Sequence, residues 1–136
     1  MSAVDLIIFG ATGDLSARKL FPALFQLDAA ELLQDDLRIA AVGRQQQTVE
    51  AFRDELRLKM SRYMRQEMNT EVWHRFIERL DYLAADFAEP RAFGGLRGWL
   101  DDGRVSLFYL ATPPSLFTTI CEQLNDDRCL TGPCRI

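Results

Sequence analysis

The feature that most constrains the fold is a short apolar run that stops at two glycines. Residues 6–9 are continuously apolar, as expected of a strand that is buried on both faces of a parallel sheet. Gly10 and Gly13 interrupt the run, and Ser16 follows at the same spacing. Glycine suits a turn in which φ is positive or a ligand approaches the backbone closely. The segment therefore predicts a strand, a glycine turn and the start of a helix.

A turn of this kind favours phosphate binding. The first amide groups of a helix lack intrahelical partners, and the helix dipole adds partial positive charge, so anions bind there. The Gly-x-x-Gly-x-x-Ser spacing is a variant of the dinucleotide fingerprint, in which a small last residue allows the helix to pack closely on the strand. The same pattern is compatible with a strand–helix turn that binds nothing, and that alternative stays open.

The rest of the chain alternates predicted strands with predicted helices. Because Pro22 is tolerated only in the first turn of a helix, the first helix either spans the whole segment or begins near Phe21 after a separate turn. Later strands are predicted at 37–42, 82–85 and 105–111, with a fifth beginning at 135–136, and later helices are predicted after Thr48, Asn69, Glu89 and Pro113. This order predicts a single α/β domain over residues 1–136, with a doubly wound, Rossmann-like parallel sheet that is incomplete at its carboxyl-terminal end.

Composition and charge argue against several classes of partner. The net charge is −4, and basic residues alternate with acidic ones, so neither nucleic acid nor an anionic membrane surface is expected to bind. No apolar run approaches the roughly 20 residues that a membrane-spanning helix needs. We therefore expect a cytoplasmic protein. Charged residues of the helix after Thr48 are interpreted as a solvated face: Arg53, Asp54, Glu55, Arg57, Lys59 and Arg62.

Cysteine and histidine give no sign of a metal site. Cys121, Cys129 and Cys134 have a C-x7-C-x4-C spacing that matches no common zinc or disulfide framework, so we interpret them as reduced thiols. His74 is the single histidine, and it lies in a predicted helix that ends at Leu80 and whose apolar positions are Trp73, Phe76, Ile77 and Leu80. We interpret His74 as a surface residue.

Arg44 indicates which dinucleotide binds. It follows the second predicted strand, where a Rossmann unit approaches the adenine ribose of its cofactor. An acidic residue there binds the 2′-hydroxyl of NAD, whereas an arginine holds the 2′-phosphate of NADP through charge-assisted hydrogen bonds. The sequence therefore predicts NADP, with NAD open as a second cofactor. An arginine that is merely solvated in a loop is the alternative.

The residues around the glycine turn make a longer signature. GATGDLSARKLFPALFQL, which begins at Gly10, resembles the amino-terminal signature of glucose-6-phosphate dehydrogenases. The resemblance implies that a loop wraps the cofactor pyrophosphate, that Arg44 takes the 2′-phosphate, and that Lys19 reaches toward the sugar phosphate. It also implies that Asp86 and Phe87 lie near the adenine, and that Pro113 and Pro114 lie near the nicotinamide. The implied pyrophosphate loop consists of Gly10, Ala11, Thr12, Gly13, Asp14, Leu15, Ser16 and Ala17.

The resemblance also implies an activity and a limit to it. The family oxidises glucose 6-phosphate to 6-phosphogluconolactone with NADP, at the entry to the pentose phosphate pathway. Its Glu-Lys-Pro-x-Gly strand and its Ile-Asp-His-Tyr-Leu-Gly motif, which supplies the histidine base, do not occur in these 136 residues. We therefore expect no catalytic residue here, no carboxyl-terminal substrate domain and no turnover by this chain alone. The incomplete sheet predicts self-association.

Several alternatives remain at this point. Short-chain reductases and epimerases also begin with a strand and Gly-Ala-Thr-Gly, but no tyrosine here is followed by a lysine four residues later. A non-catalytic nucleotide-binding fragment, whether natural or excised, is the other alternative. Asp86 is also compatible with a helix cap, and Pro113-Pro114 with a rigid turn.

Overall fold

A parallel sheet of five strands forms the centre of the molecule. The computed structural model describes residues 3–64, 67–87 and 89–136. The strands lie in the order β3-β2-β1-β4-β5, and each pairs with its neighbours in parallel. Their bounds are β1 Val4–Phe9, β2 Arg38–Gly43, β3 Leu80–Ala84, β4 Val105–Leu110 and β5 Cys134–Arg135. The predicted doubly wound sheet is confirmed, and the two-residue β5 lies where a fifth strand was expected to begin.

Helices cover both faces of this sheet. One face of β1, β2 and β3 packs in one apolar cluster with helices α1, α2 and α3, and the opposite face packs with α4 and α5. This division follows from right-handed crossovers, which place the connections on opposite faces when the strand order reverses at β1. The helix bounds are α1 Phe21–Ala29, α2 Val49–Tyr63, α3 Thr70–Glu78, α4 Gly94–Trp99 and α5 Phe117–Asp126, with a 3₁₀ turn at Pro114–Leu116.

Two helix starts confirm the local sequence signals. The hydroxyl of Thr48 accepts a hydrogen bond from the amide of Ala51 at 3.1 Å and so caps α2. The side chain of Asn69 accepts from the amides of Glu71 and Val72 and so caps α3. Each cap satisfies amides that the helix itself leaves without a partner.

The first helical segment is divided in two, as one of the two sequence interpretations predicted. Residues Ser16–Leu20 form a π-helix, closed by a hydrogen bond from the Phe21 amide to the Ser16 carbonyl, and α1 begins at Phe21. Pro22 explains the division, because it has no N–H to donate to the carbonyl four residues earlier in an α-helix. The wider π turn brings the chain to Pro22 at the start of α1, where that missing donor is tolerated.

Two predicted boundaries were wrong, and both for physical reasons. The helix predicted from Glu89-Pro90 begins at Gly94, since Arg91 has φ of 58°, a left-handed conformation that an α-helix does not contain. Leu80, predicted as the end of α3, is the first residue of β3, where it is fully buried and pairs with Ile39. That pairing is long-range, so the local pattern could not reveal it.

One face of β4 remains open. Leu107 and Tyr109 are 37% and 45% exposed, and they pair in register with Leu6 and Ile8 of β1. Neighbours in register point to the same side of a parallel sheet, so both side chains lie on the face that α1, α2 and α3 cover elsewhere. Self-association through such a face stays a prediction.

Other features of the sequence have simple locations. His74 is exposed on α3, as predicted, and the three cysteines are free thiols. Burial raises the pKa of Cys129 to about 11. Among residues 3–64, 67–87 and 89–136, no helix has the length and apolarity to cross a bilayer.

Candidate functional site

The candidate site is built on the turn that follows β1. Gly10 has φ of 79°, which is in the left-handed region, and a Cβ at this position would lie 2.5 Å from the carbonyl oxygen of Ala111. The Gly10 and Ala11 amides both donate to the carbonyl of Val42, at 3.1 and 3.2 Å. The turn is therefore fixed between the ends of β2 and β4, and only glycine fits at its first position.

A second set of hydrogen bonds closes the loop on itself. The Gly10 carbonyl accepts from the Gly13 amide and from the Ser16 hydroxyl, each at 3.0 Å. Ser16 is fully buried, which agrees with the prediction that a small residue here packs the helix against the strand. Gly13 does not have a positive φ, but the backbone approaches it closely. A Cβ on Gly13 would lie 3.2 Å from the Gly10 carbonyl oxygen.

Several amides of the loop remain open. In the part of the chain that the structure describes, no acceptor is bonded to the amides of Thr12, Asp14 and Leu15. These groups lie where the loop becomes helical, since the Ala17 amide already donates to the Gly13 carbonyl at 3.2 Å. Open amides at the start of a helix carry partial positive charge, and this is the environment in which phosphate binds.

Two cations follow the loop along the helical segment. Arg18 and Lys19 are both exposed, and the Arg18 guanidinium lies 3.8 Å from the carboxylate of Asp14. The same guanidinium lies 5.2 Å from the centre of the Tyr63 ring on α2. Arg18 is therefore held beside the loop. Both Arg18 and Asp14 are largely exposed, so their ion pair contributes little to stability.

Arg44 lies at the carboxyl end of β2, directly after the last strand residue. That residue, Gly43, is tightly enclosed, since a Cβ on it would lie 2.7 Å from the Tyr82 hydroxyl and 3.0 Å from the Thr12 methyl group. Arg44 itself is exposed. The loop that begins at Arg44, after the end of β2, is called the Arg44 loop. The close contact of Gly43 with Thr12 brings the start of this loop next to the glycine turn.

The Arg44 loop is held to β3 by a buried tyrosine. The hydroxyl of Tyr82 donates to the carbonyl of Gln45 at 2.6 Å. A tyrosine hydroxyl is protonated at neutral pH, and burial raises the pKa of Tyr82 further, so this donor is kept. Neither Gly43 nor Tyr82 was singled out from the sequence as part of a site, because the contact joins residues on two strands.

The predicted adenine-side residues differ in their surroundings. Asp86 is exposed just beyond β3, and its carbonyl accepts from the amide of Glu89 in a turn. Since α4 begins at Gly94 with Phe93 as its N-cap residue, Asp86 does not cap that helix. Phe87 is half-buried, with its ring centre 6.2 Å from that of Phe9 and 5.6 Å from that of Phe93. Phe87 therefore contributes to the core as well as to this edge of the sheet.

The segment after β4 completes the edge. Pro113 and Pro114 are exposed, and Pro114 begins the 3₁₀ turn that precedes α5, which is compatible with the alternative of a rigid strand-to-helix turn. Between Ala111 and Pro113, the hydroxyl of Thr112 is buried without a hydrogen-bond partner in the described structure. Its methyl group would contact a Cβ at Gly10. No residue pattern in the sequence indicated that the Thr112 hydroxyl would lack a partner.

Lys59 of α2 is a further residue that sequence reasoning missed. Its ammonium donates to the carbonyl of Thr12 at 3.3 Å and lies 3.3 Å from the carboxylate of Glu55. On the same helix, Arg53 donates to the carbonyl of Leu80 at 2.6 Å. The interpretation of these charges as a solvated face was therefore wrong for Arg53 and Lys59, because both reach across to other elements.

Comparisons with known proteins identify the family of this chain. A family model described as the NAD binding domain of glucose-6-phosphate dehydrogenase matches residues 7–136. Glucose-6-phosphate 1-dehydrogenases of Chlamydia pneumoniae and Dickeya dadantii are 37% and 34% identical to this chain, over 88% and 98% of its length. These matches cover 25% and 28% of the two relatives, so the chain spans about a quarter of their length.

Solved structures show the same fold. The crystal structure of glucose-6-phosphate 1-dehydrogenase from Mycobacterium avium aligns with a TM-score of 0.89 at 30% identity, over 98% of this chain and 29% of that one. A glucose-6-phosphate dehydrogenase in complex with glucose 6-phosphate aligns with a TM-score of 0.82 at 27% identity, over 98% of this chain and 29% of that one. These matches rule out the short-chain reductase alternative. The chain belongs to the glucose-6-phosphate dehydrogenase family and corresponds to its nucleotide-binding domain.

Proposed function

We propose that this chain binds NADP, and that the whole protein oxidises glucose 6-phosphate to 6-phosphogluconolactone. The observation that carries the proposal is the set of open amides on Thr12, Asp14 and Leu15, beside a turn that only glycine can make. When bound, NADP supplies the hydride acceptor for oxidation of the sugar. The residues of this chain hold and orient the cofactor.

The loop fits a diphosphate group. Its open amides lie at the start of a helical segment, where partial positive charge accumulates, and the backbone behind them is fixed by bonds to Val42 and Ser16. Binding of a diphosphate to these amides costs little conformational entropy of the loop, because the loop is already ordered before the ligand binds. The family's pyrophosphate loop, Gly10 to Ala17, is assigned here on that basis.

Arg44 supports NADP as the preferred cofactor. Its guanidinium is exposed at the end of β2, and the adjacent Gly43 keeps the loop close to Thr12. A 2′-phosphate gains charge-assisted hydrogen bonds from an arginine, whereas the 2′-hydroxyl of NAD gains none of comparable strength. We therefore assign Arg44 to the 2′-phosphate, and we assign Asp86 and Phe87 to the adenine side.

The remaining assignments place the reacting end of the cofactor. Pro113 and Pro114 follow β4 on the same edge of the sheet, and the orphaned hydroxyl of Thr112 offers this region an unsatisfied polar group. A buried hydroxyl without a partner costs free energy, which a ligand contact would recover. We assign these residues to the nicotinamide side, and the exposed Lys19 to the sugar phosphate.

Calorimetric titration of NADP and NAD into the chain tests the proposal. In Arg44→Ala we expect the Kd for NADP to rise about 30-fold, from the loss of two charge-assisted bonds in a partly solvated site, while the Kd for NAD stays unchanged. Arg62→Ala removes an exposed arginine from α2 and serves as the matched control. Equal losses for both nucleotides, or no binding by the unaltered chain at millimolar concentration, would contradict the assignment.

Two further expectations concern the protein in solution. The three free thiols support a cytoplasmic location, since reducing compartments keep cysteines unpaired. The open face of β4 at Leu107 and Tyr109 supports self-association. Light scattering at several protein concentrations tests the second expectation, and a single monomeric species throughout would count against it.

A further inference from the structure

One peptide group of the glycine loop is held at both of its polar atoms. The Gly13 amide donates to the Gly10 carbonyl at 3.0 Å, and the carbonyl of Thr12, in the same peptide group, accepts from Lys59 at 3.3 Å. A peptide group is planar, so two such bonds fix its rotation. The open amides of Thr12 and Asp14 flank this group, and their directions depend on its orientation.

Lys59 is presented to the loop by a rigid support. Phe52, Leu56 and Met60 of α2 are at most 3% exposed and anchor the helix in the core. Lys59 lies one turn after Glu55, whose carboxylate is 3.3 Å from the ammonium and restrains it further. A side chain held by a packed helix and by a second bond positions its partner better than a free surface lysine does.

The cavity beside this contact is too small to hold a separate ligand. The cavity between the loop and α2, bordered by Ala11, Thr12, Ala17 and Lys59, has a volume of about 10 Å³. That volume is about enough for one water molecule. The ammonium is therefore placed to bond the loop and does not line a binding pocket of its own.

We propose that Lys59 is a positioning residue for the phosphate-binding loop. It fixes the Thr12–Gly13 peptide so that the neighbouring amides are aimed at a diphosphate before the ligand arrives. The inference rests on the proposed function of the loop. It predicts a specific pattern, in which Lys59 affects ligands that carry a diphosphate and leaves the 2′-phosphate contact unaffected.

Titrations of ADP and of 2′-AMP into the chain and into Lys59→Met test this pattern. ADP has the diphosphate but no 2′-phosphate, and 2′-AMP has the reverse. Methionine keeps most of the aliphatic stem and removes the ammonium. We expect the Kd for ADP to rise about fivefold, because the Thr12–Gly13 peptide is no longer fixed before the ligand binds, and the Kd for 2′-AMP to stay within twofold. Lys59→Arg should restore most of the affinity for ADP.

Controls separate this role from a general loss of structure. Arg62→Met removes a cation from the same helix and should change neither Kd, and thermal unfolding without ligand shows whether Lys59→Met remains folded. If the unaltered chain binds ADP and Lys59→Met binds it equally well, the positioning role is overturned while the function of the loop stands. Equal weakening for ADP and 2′-AMP also overturns the role, and failure of the unaltered chain to bind ADP overturns both proposals.

Discussion

The two edges of the sheet, one at the amino ends of the strands and one at the carboxyl ends, differ in the burial of their charged side chains. At the amino edge, where strands begin, Asp5 is fully buried and accepts hydrogen bonds from Arg38 at 2.6 and 2.9 Å and from Arg104 at 2.6 Å. At the carboxyl edge, where strands end, Asp14 and Arg44 are exposed. At the first edge the charged groups are buried and bonded within the protein, whereas at the second edge they are exposed to solvent.

Two further contacts also hold charged side chains rigidly at the amino edge. The bond to Asp5 raises the pKa of Arg38, whose guanidinium also lies 4.1 Å from the centre of the Trp99 ring. A second buried carboxylate at the same edge, Asp28, pairs with Arg79 at 3.1 Å. A protein that binds an anion at one edge of its sheet can place its rigid ionic contacts at the other, where no ligand needs the space.

The largest effect is expected at the carboxyl edge, from Gly10→Ala. Alanine is strained at φ of 79°, and its Cβ would lie 2.5 Å from the Ala111 carbonyl oxygen, so we expect a loss of about 4 kcal/mol of stability together with loss of NADP binding. Chemical denaturation and calorimetry measure the two effects. In the matched control, Gly95→Ala, no atom lies within 4 Å of the new Cβ, so we expect unchanged or slightly higher stability.

A smaller loss is expected at the amino edge, from Asp5→Asn. The amide leaves the Arg38 and Arg104 guanidinium groups without a carboxylate in a buried position, which should cost about 3 kcal/mol in urea denaturation and leave the Kd for NADP unchanged if the chain remains folded. Asp14→Asn removes a carboxylate whose side chain is 83% exposed and should change stability by less than about 0.5 kcal/mol. Similar losses from the two substitutions would mean that the edges do not differ as described.

The smallest effect concerns Cys129, a buried ionisable group whose hydrogen-bond partners among the described residues are the carbonyls of Phe93 and Asp127. Burial raises its pKa from 9.0 to about 11, so the folded protein keeps the thiol protonated where the unfolded chain loses the proton. Stability from this group is complete below pH 9 and falls as pH rises toward 11, by at most about 1.4 kcal/mol per pH unit. Urea denaturation at several pH values measures the decline. Cys129→Ala should decline less over that range, and identical slopes would contradict the assignment.

Local signals in the sequence were sufficient for much of the fold. The apolar run of β1, the glycine turn and the caps at Thr48 and Asn69 each depend on contacts within a few residues, so their patterns are visible in the chain itself. The order of strands follows from alternation and handedness. These rules also placed Arg44 at the end of β2, as the structure has it.

The missed features depend on contacts between distant residues. Lys59 bonds a carbonyl 47 residues away, and Arg53 bonds one 27 residues away, so neither contact leaves a periodic trace. The Asp5 network joins residues 33 and 99 positions apart. A charged residue in a helix looks the same in the sequence whether its side chain meets water or a neighbouring loop, and only the tertiary arrangement decides between them.

The π-helical stretch between the glycine turn and α1 sets the direction in which Phe21 points relative to Ser16. Ser16 must face Gly10 to close the loop, and Phe21 must face the core, where it is fully buried. An α-helix advances by about 100° per residue, and a π turn advances by less. The five residues Ser16–Leu20 thus allow Ser16 to face Gly10 and Phe21 to face the core, which a continuous α-helix would not allow. Deletion of one residue from this stretch would turn either Ser16 or Phe21 away from its partner.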